Sequence, residues 1–220
     1  MATSRNRNVL VTAVVVAVVA VAAVLAITLS GGSDSSSDTT SGSNGDGGSS
    51  TETHPVEVVG DVLPAFDTPE NDTAIGLVAP TLNGSTFDST PISIAPGSTG
   101  RATMVVFLTH WCPHCNAEIP VLLEWKDSGG VPSDLDVVAV STAVADDREN
   151  YPPSQWIDDK GWPWPVMADS EFNTAVGAYG VRGFPAFVLL DAEGKVLYRA
   201  DGQKSLDEIN AIMAEFFPTA

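Results

Sequence analysis

The sequence contains little cysteine and few basic residues. Cys112 and Cys115 are its only cysteines, and 10 lysine and arginine residues stand against 28 aspartate and glutamate residues, which gives a net charge of −18. Such a surface repels nucleic acid and anionic lipid head groups, so neither is expected as a partner. A disulfide between the two cysteines would close a loop of four residues, and the chain-entropy model assigns such a loop only about 2 kcal/mol. A reactive pair therefore explains these cysteines better than a structural bridge does.

Basic residues are also missing from a long stretch of the chain. Residues 9–29 form an apolar run of 21 residues, broken only by two threonines, which follows two arginines, and the next basic residue is Arg101. About 20 apolar residues span a bilayer as a helix. Because basic residues stay on the cytoplasmic side, the sequence predicts a cytoplasmic segment at residues 1–8, a membrane anchor at residues 9–29 and export of the remainder. A cleaved signal peptide is the alternative, although its apolar region is usually shorter.

A low-complexity segment separates this run from the rest of the chain. Residues 30–54 are mostly Gly, Ser, Thr, Asp and Asn, and a segment with no apolar face is expected to be a disordered tether. One folded domain is then expected at residues 55–220, which is long enough to bury an ordinary core. The predicted location is a cell membrane, with a single span and the domain on the extracytoplasmic side, where disulfides persist.

The two cysteines belong to the motif Trp-Cys-Pro-His-Cys at residues 111–115. An apolar strand candidate at residues 104–109 precedes the motif, and a segment with helical periodicity at residues 117–125 follows it. Cys112 is therefore expected where a strand ends and a helix begins, a position at which the helix dipole favours a thiolate. A thiolate attacks disulfides, and Cys115 is close enough to resolve the mixed disulfide that forms. The motif predicts dithiol–disulfide exchange.

Strand and helix signals alternate along the domain. Strands are predicted at residues 56–59, 104–109, 135–141, 164–167, 186–190 and 195–200, with another between the prolines at positions 91 and 96, and helices at residues 112–126, 153–160, 170–179 and 205–217. A hairpin is predicted at residues 81–87, with Asn83-Gly84 as its tight turn, and a capping box is predicted at Ser205. The pattern indicates an α/β fold with a central mixed sheet, helices on both faces and an N-terminal β-hairpin extension.

These motifs, in this order, resemble the thioredoxin superfamily and, within it, the membrane-tethered TlpA- or ResA-like branch. The resemblance is carried by the strand and helix at residues 107–120, the Trp-Pro-Val-Met-Ala-Asp segment at residues 164–169, and Gly-Phe-Pro at residues 183–185 with the apolar strand after it. It covers roughly residues 76–217. The resemblance implies a thioredoxin-like fold and protein disulfide oxidoreductase activity, and we expect neither a cofactor nor a resident metal.

The resemblance also implies roles for individual residues. Cys112 would be the attacking thiol and Cys115 the resolving thiol. Pro185 would follow a cis peptide bond and lie against the cysteines, and the backbone of Phe184 would pair with an extended substrate segment. Glu118 matches a glutamate that exchanges protons near the buried thiol in this branch. The alternative for Glu118 is a solvated residue on the helix surface.

The direction of electron flow is left open by two opposing signals. His114 lies between the cysteines, where it favours the Cys112 thiolate, and stabilising the reduced form makes the disulfide a stronger oxidant. Many members of the TlpA-like branch are reductants instead. Trp111 and Pro113 are further candidate substrate contacts, and His110 is interpreted as a residue on the rim of the site.

Three other functions fit parts of the motif. Two histidines, at positions 110 and 114, together with the cysteines make up a zinc ligand set, but all four lie within six residues, whereas such sites usually join separated segments. A copper-handling metallochaperone of thioredoxin-like fold would also use soft thiolates, generally with a longer cysteine spacing. A thiol peroxidase usually carries a proline upstream of its cysteine, and residues 104–108 contain none.

The partners expected from the resemblance are proteins. The clients would be cysteine-containing exported proteins or apocytochrome c. A second redox protein, either in the membrane or outside it, would exchange electrons with the cysteine pair. The membrane itself would be contacted through the N-terminal helix.

Overall fold

The computed structural model describes residues 52–218. The predicted anchor at residues 9–29 and most of the predicted tether lie outside the described residues. Across residues 52–218, no helix combines the length and the apolar character that a membrane span requires.

Within this part of the chain, eight strands form one mixed sheet. The strands are β1 Glu57–Val59, β2 Thr81–Ser85, β3 Pro91–Ile94, β4 Ala102–Leu108, β5 Leu135–Ser141, β6 Val166–Ala168, β7 Ala186–Leu190 and β8 Val196–Asp201. Their order is β1-β2-β6-β5-β4-β7-β8, and β3 pairs with β2 outside this series. Strands β4, β5 and β6 are parallel, whereas β7 is antiparallel to β4, and β8 is in turn antiparallel to β7.

Helices cover both faces of the sheet, as predicted. They are α1 Pro113–Asp127, α2 Pro153–Asp159, α3 Thr174–Ala178 and α4 Leu206–Phe216, and a 3-10 turn lies at Pro69–Asn71. Buried side chains of α1, α2 and α4 belong to one apolar cluster, and those of α3 belong to a second cluster on the opposite face. The sheet therefore lies between two cores, which is the layered α/β arrangement.

Strand β4 places the cysteine motif at the centre of the molecule. Its side chains alternate between the two cores, as the period of a strand requires: Met104 and Val106 face the cluster that contains α1, and Val105 and Phe107 face the other. Because β5 and β7 flank β4 on either side, the chain leaves β4 at the middle of the sheet edge and enters α1.

The hairpin predicted at residues 81–87 with its turn at Asn83-Gly84 is wrong: a hairpin is present, but it joins β2 to β3. Both residues lie within β2 and pair with β3, and the turn spans residues 86–90, closed by the N–H of Thr86 donating to the oxygen of Thr90 at 2.9 Å. A Cβ atom on Gly84 would lie 3.2 Å from Sδ of Met167. The glycine is therefore explained by close packing against β6 rather than by a turn.

The third helix is shorter than predicted, because its first turn is replaced by a cap. Asp169 accepts hydrogen bonds from the N–H groups of Ser170 and Ala175 at 2.7 and 2.9 Å. Asn173 has a left-handed backbone, with φ of 54°, so the helix begins only after it. The capping box predicted for α4 is present, with Ser205 N–H donating to Oε2 of Glu208 at 2.7 Å.

Candidate active site

Cys112 is the N-cap residue of α1. Its backbone is extended, with φ of −80° and ψ of 121°, and its carbonyl accepts the N–H of Asn116 at 3.0 Å as the helix starts. The predicted position between a strand and a helix is confirmed. The residue is 8% exposed, and it lies at the N-terminal, positive end of the helix dipole.

Cys115 lies one turn further into the helix and is fully buried. The peptide N–H of Thr109 donates to its sulfur at 3.5 Å. Burial nevertheless raises the pKa of the Cys115 thiol far above its usual value, because a thiolate loses its hydration there. The two cysteines are not joined by a disulfide, and their sulfurs differ in access to solvent. Cys115 therefore needs a nearby base before it can react.

Glu118 is a buried carboxyl on the same helix, one turn after Cys115. Its Oε2 accepts the peptide N–H of Lys204 at 2.7 Å, while Oε1 has no hydrogen-bond partner among the described residues. Burial raises the pKa of Glu118 to about 7, and the bond from Lys204 opposes this shift. The interpretation of Glu118 as a solvated surface residue is wrong. The negative charge of Glu118 contributes to the raised pKa of Cys115, so the two groups act on each other.

The peptide bond between Phe184 and Pro185 is cis, as the resemblance implied. The Cys112 sulfur lies 3.6 Å from the carbonyl oxygen of Phe184. The next carbonyl, that of Pro185, accepts the N–H of Gly202 at 2.8 Å, and β7 begins directly after it. The proline loop is thus fixed between the N-terminus of α1 and the end of β8.

The remaining predicted site residues surround Cys112. Pro113 and His114 are exposed on the first turn of α1. Trp111 is half-buried; its Nε1 donates to the carbonyl of Ala143 at 2.8 Å, and the guanidinium of Arg148 lies 4.8 Å from the centre of its ring. The contacts of these side chains with a substrate stay predictions.

His110 is buried rather than on the rim of the site, so that interpretation is wrong. Its Nδ1 lies 2.7 Å from the carbonyl oxygen of Glu149, and its Nε2 lies 3.2 Å from the N–H of Ala145. A carbonyl can only accept, so this pattern assigns the proton to Nδ1 and leaves Nε2 as an acceptor. Burial lowers the pKa of the ring, consistent with a neutral histidine.

The hydrogen bonds of His110 also bear on the zinc alternative. Both ring nitrogens bind the loop at residues 145–149, which removes this side chain from the ligand set considered above. In the described part of the chain, no group of three or more His, Cys, Asp or Glu side chains is placed to hold a metal ion.

Asn116 is a site residue that the sequence reasoning missed. Its Nδ2 donates to the carbonyls of His110 and Cys112 at 3.0 and 3.1 Å, and its Oδ1 accepts Nε1 of Trp156 at 2.9 Å. The side chain therefore ties the cysteine loop to α2. Hydrogen bonds from a side chain to distant backbone carbonyls leave no fixed spacing in the sequence. The only feature that could have indicated this role was the position of an amide side chain directly after the second cysteine.

Comparison with known proteins decides the family. Residues 59–213 match the family model described as Redoxin. The chain belongs to the Redoxin family. Thiol-disulfide oxidoreductase ResA of Bacillus thuringiensis (strain Al Hakam) is 23% identical over 123 residues, which are 54% of this chain and 65% of ResA. Nucleoredoxin of Danio rerio is 29% identical over 119 residues, which are 53% of this chain and 26% of nucleoredoxin.

A solved structure supports the fold of this redoxin. The thiol:disulfide interchange protein, thioredoxin family protein, of Chlorobium tepidum TLS superposes with a TM-score of 0.51 at 25% identity, over 64% of this chain and 95% of that one. The predicted thioredoxin-like fold and the resemblance to ResA-like oxidoreductases are confirmed. The chain spans less than two thirds of the length of the two curated relatives described above.

Proposed function

We propose that this chain is an extracytoplasmic thiol–disulfide oxidoreductase that exchanges the Cys112–Cys115 dithiol with disulfides of client proteins. The observation that carries the proposal is the unequal state of the two sulfurs. Cys112 is 8% exposed at a helix N-terminus beside the cis-proline loop, whereas Cys115 is fully buried and its pKa is raised by burial and by the charge of Glu118. The names of the relatives, thiol-disulfide oxidoreductase and thiol:disulfide interchange protein, support the same activity.

In the reducing direction, Cys112 attacks the client, Cys115 releases it, and Glu118 accepts the proton of Cys115. The Cys112 thiolate attacks one sulfur of a client disulfide, a mixed disulfide forms, and the other client sulfur leaves as a thiolate. Cys115 then gives its proton to Glu118 and attacks the Cys112 sulfur. The Cys112–Cys115 bond forms, the bond to the client breaks, and the second client thiolate leaves. Two electrons pass to the client, and its thiolates take up two protons, one from Glu118 and one from solvent. Oxidation of a client dithiol runs the same steps in reverse.

The surface around Cys112 suits an extended client segment. Strand addition beside Phe184 would align the client backbone with the Cys112 sulfur, since the Phe184 carbonyl already lies 3.6 Å from it. Trp111 is half-buried and Pro113 and His114 are exposed next to Cys112 in the sequence, so they would contact the client side chains.

We place the domain outside the cytoplasm on the basis of the sequence. The apolar run at residues 9–29 and the two arginines before it support a single membrane anchor with the following chain exported. An exported location supports stable redox cycling, because the cytoplasmic glutathione pool does not reach it. Its clients would then be exported cysteine-containing proteins or apocytochrome c, with a second redox protein restoring the pair.

Electron transfer is tested with the purified full-length chain. The reduced protein is mixed with a disulfide-containing test protein, and the thiols of both are counted by alkylation and mass spectrometry. We expect one disulfide to form between Cys112 and Cys115 for each client disulfide lost. The reverse reaction, the oxidised protein with a client dithiol, is measured in the same way. A wild-type yield no higher than that of the Cys112→Ser, Cys115→Ser double variant in both directions would overturn the proposal. The reduction potential then decides direction: near −120 mV indicates an oxidase such as DsbA, and near −270 mV a thioredoxin-like reductant.

The location is tested separately, in intact cells. A maleimide that cannot cross membranes should label Cys112 of the reduced full-length protein without cell lysis, and the Cys112→Ser variant sets the background. Labelling that requires lysis would contradict export while leaving the chemistry in place.

A further inference from the structure

The loop at residues 202–205 joins β8 to α4 and touches both halves of the candidate site. Gly202 N–H donates to the carbonyl of Pro185 at 2.8 Å, and Lys204 N–H donates to Oε2 of Glu118 at 2.7 Å. The first bond holds the cis-proline loop, and the second holds the buried carboxyl whose charge raises the pKa of Cys115. The cis-proline loop and Glu118, which the reaction needs close together, are thus both hydrogen-bonded to one short loop.

The loop is itself fixed at both ends. The side-chain Nζ of Lys204 donates back to the carbonyls of Asp201 and Gly202 at 2.8 and 2.9 Å. The next residue, Ser205, is the N-cap of α4 and forms a complete capping box with Glu208. The N–H that reaches Glu118 therefore comes from a backbone that has little freedom to move.

We propose that the peptide N–H of Lys204 is a positioning group of the active site, which holds Glu118 by Oε2 so that Oε1 is left to accept the proton of Cys115. This rests on the exchange reaction proposed above. Oε1 is buried and has no hydrogen-bond partner within residues 52–218, as expected of an atom reserved for a proton. The step moves one proton from Sγ of Cys115 to Oε1 of Glu118 and leaves a thiolate, with no change in oxidation state.

The bond affects the charge of Glu118 as well as its orientation. A hydrogen bond from an N–H group stabilises the ionised carboxyl over the neutral form. In a fully buried position, where water cannot substitute, loss of this donor would keep Glu118 protonated up to a higher pH. A protonated Glu118 cannot accept the proton of Cys115. Burial and the charge of Glu208 raise the pKa of Glu118, whereas the Lys204 N–H and the Lys204 ammonium group lower it. The N–H therefore extends resolution of the mixed disulfide to lower pH.

The first test leaves the protein unaltered. The chain contains only four lysines, so the full-length protein labelled with 15N-lysine gives four amide signals, and the other three are internal controls. We expect the Lys204 amide to titrate with a midpoint near that of Glu118, and to lose this titration in Glu118→Gln. A Lys204 amide that does not change with pH, or that titrates equally in Glu118→Gln, would overturn the proposal.

The second test separates the N–H from the side chain. Lys204→Pro removes the N–H, Lys204→Ala keeps it but removes the ammonium group, and Lys204→Arg keeps both. The readout is the pH dependence of the resolving step, followed by rapid acid quench of the mixed disulfide. We expect the midpoint in Lys204→Pro to lie above that in Lys204→Ala, and a rise of one pH unit would slow resolution about fivefold at pH 7. Lys204→Arg should match the wild type.

These outcomes distinguish the positioning role from the proposed function. If the folded Pro and Ala variants resolve with the same pH profile, the positioning role is wrong even though exchange continues. If the wild type exchanges nothing with disulfides, the proposed function fails whatever the amide does. Should Lys204→Pro not fold, the amide titration of the wild type alone decides.

Discussion

The sulfur of Cys112 lies 3.6 Å from the carbonyl oxygen of Phe184, the residue that precedes the cis-proline. These two residues are 72 positions apart in the sequence, and β4 and β7, which lead to and from them, are neighbours in the sheet. Any peptide that binds along the Phe184 backbone would therefore lie beside the Cys112 sulfur. The predicted role of Cys112 as the attacking group therefore depends on where it lies, beside the backbone of Phe184.

Replacing each cysteine should separate the two halves of the reaction. Cys115→Ser should accumulate a mixed disulfide between Cys112 and the client, because no second thiol is left to release it. Cys112→Ser should reduce exchange to the background of the double variant, because Cys115 is fully buried. Non-reducing gels and intact-mass measurement detect the trapped species. Full turnover by Cys115→Ser would contradict this division of roles.

Glu118→Gln should slow the resolving step and remove its dependence on pH near neutrality. The pKa of Glu118 is raised to about 7 by burial, so the wild-type rate should increase as pH rises through that value. A loss of general-base assistance typically costs roughly 100-fold or more. Glu124→Gln, an exposed change on the same helix, is the matched control and should behave like the wild type in a rapid-quench assay. Equal profiles for the two variants would rule out Glu118 as the proton acceptor.

Stability should also depend on pH through Glu118. Its pKa rises from 4.5 unfolded to about 7 folded, so the folded state binds the proton more tightly. The contribution is fully present below about pH 4.5 and is lost as pH rises through about 7. Full ionisation costs roughly 3 kcal/mol by this linkage. Urea titrations should therefore show that the difference in the free energy of unfolding between wild type and Glu118→Gln changes between about pH 4.5 and 7. A difference that stays constant over this pH range would contradict the raised pKa of Glu118.

His110 and His114 should respond differently to replacement by alanine. His110→Ala leaves the carbonyl of Glu149 and the N–H of Ala145 without their partners, which should lower the free energy of unfolding by about 2–3 kcal/mol. His114→Ala removes an exposed side chain and should change it by less than about 0.5 kcal/mol. Chemical denaturation measures both. Equal stability of the two variants would mean that the bonds of His110 to the 145–149 loop contribute nothing.

The parts of the fold that depend on local pattern were predictable from the sequence. Strands β5 and β7 have the predicted bounds, Leu135–Ser141 and Ala186–Leu190, because mostly apolar, β-branched runs mark strands covered on both faces. The turn at Asn83-Gly84 was wrong, because the reason for Gly84 is the nearby side chain of Met167, which no local pattern shows.

The site was predictable in its residues but not in its connections. The cysteines, Glu118 and the cis-proline were each found from motif and resemblance. The bond between Glu118 and Lys204 joins residues 86 positions apart, and the bonds of His110 reach 35 and 39 positions. Such contacts depend on how the elements pack in three dimensions, and a single sequence carries no direct record of that.

The buried carboxyl beneath the cysteine pair has a consequence for the surroundings in which the protein works. Because Glu118 changes its charge close to neutrality, acidification of the medium would delay the release of any mixed disulfide that has formed. Under acid conditions the protein would then stay covalently attached to its targets, and a return to neutral pH would release them.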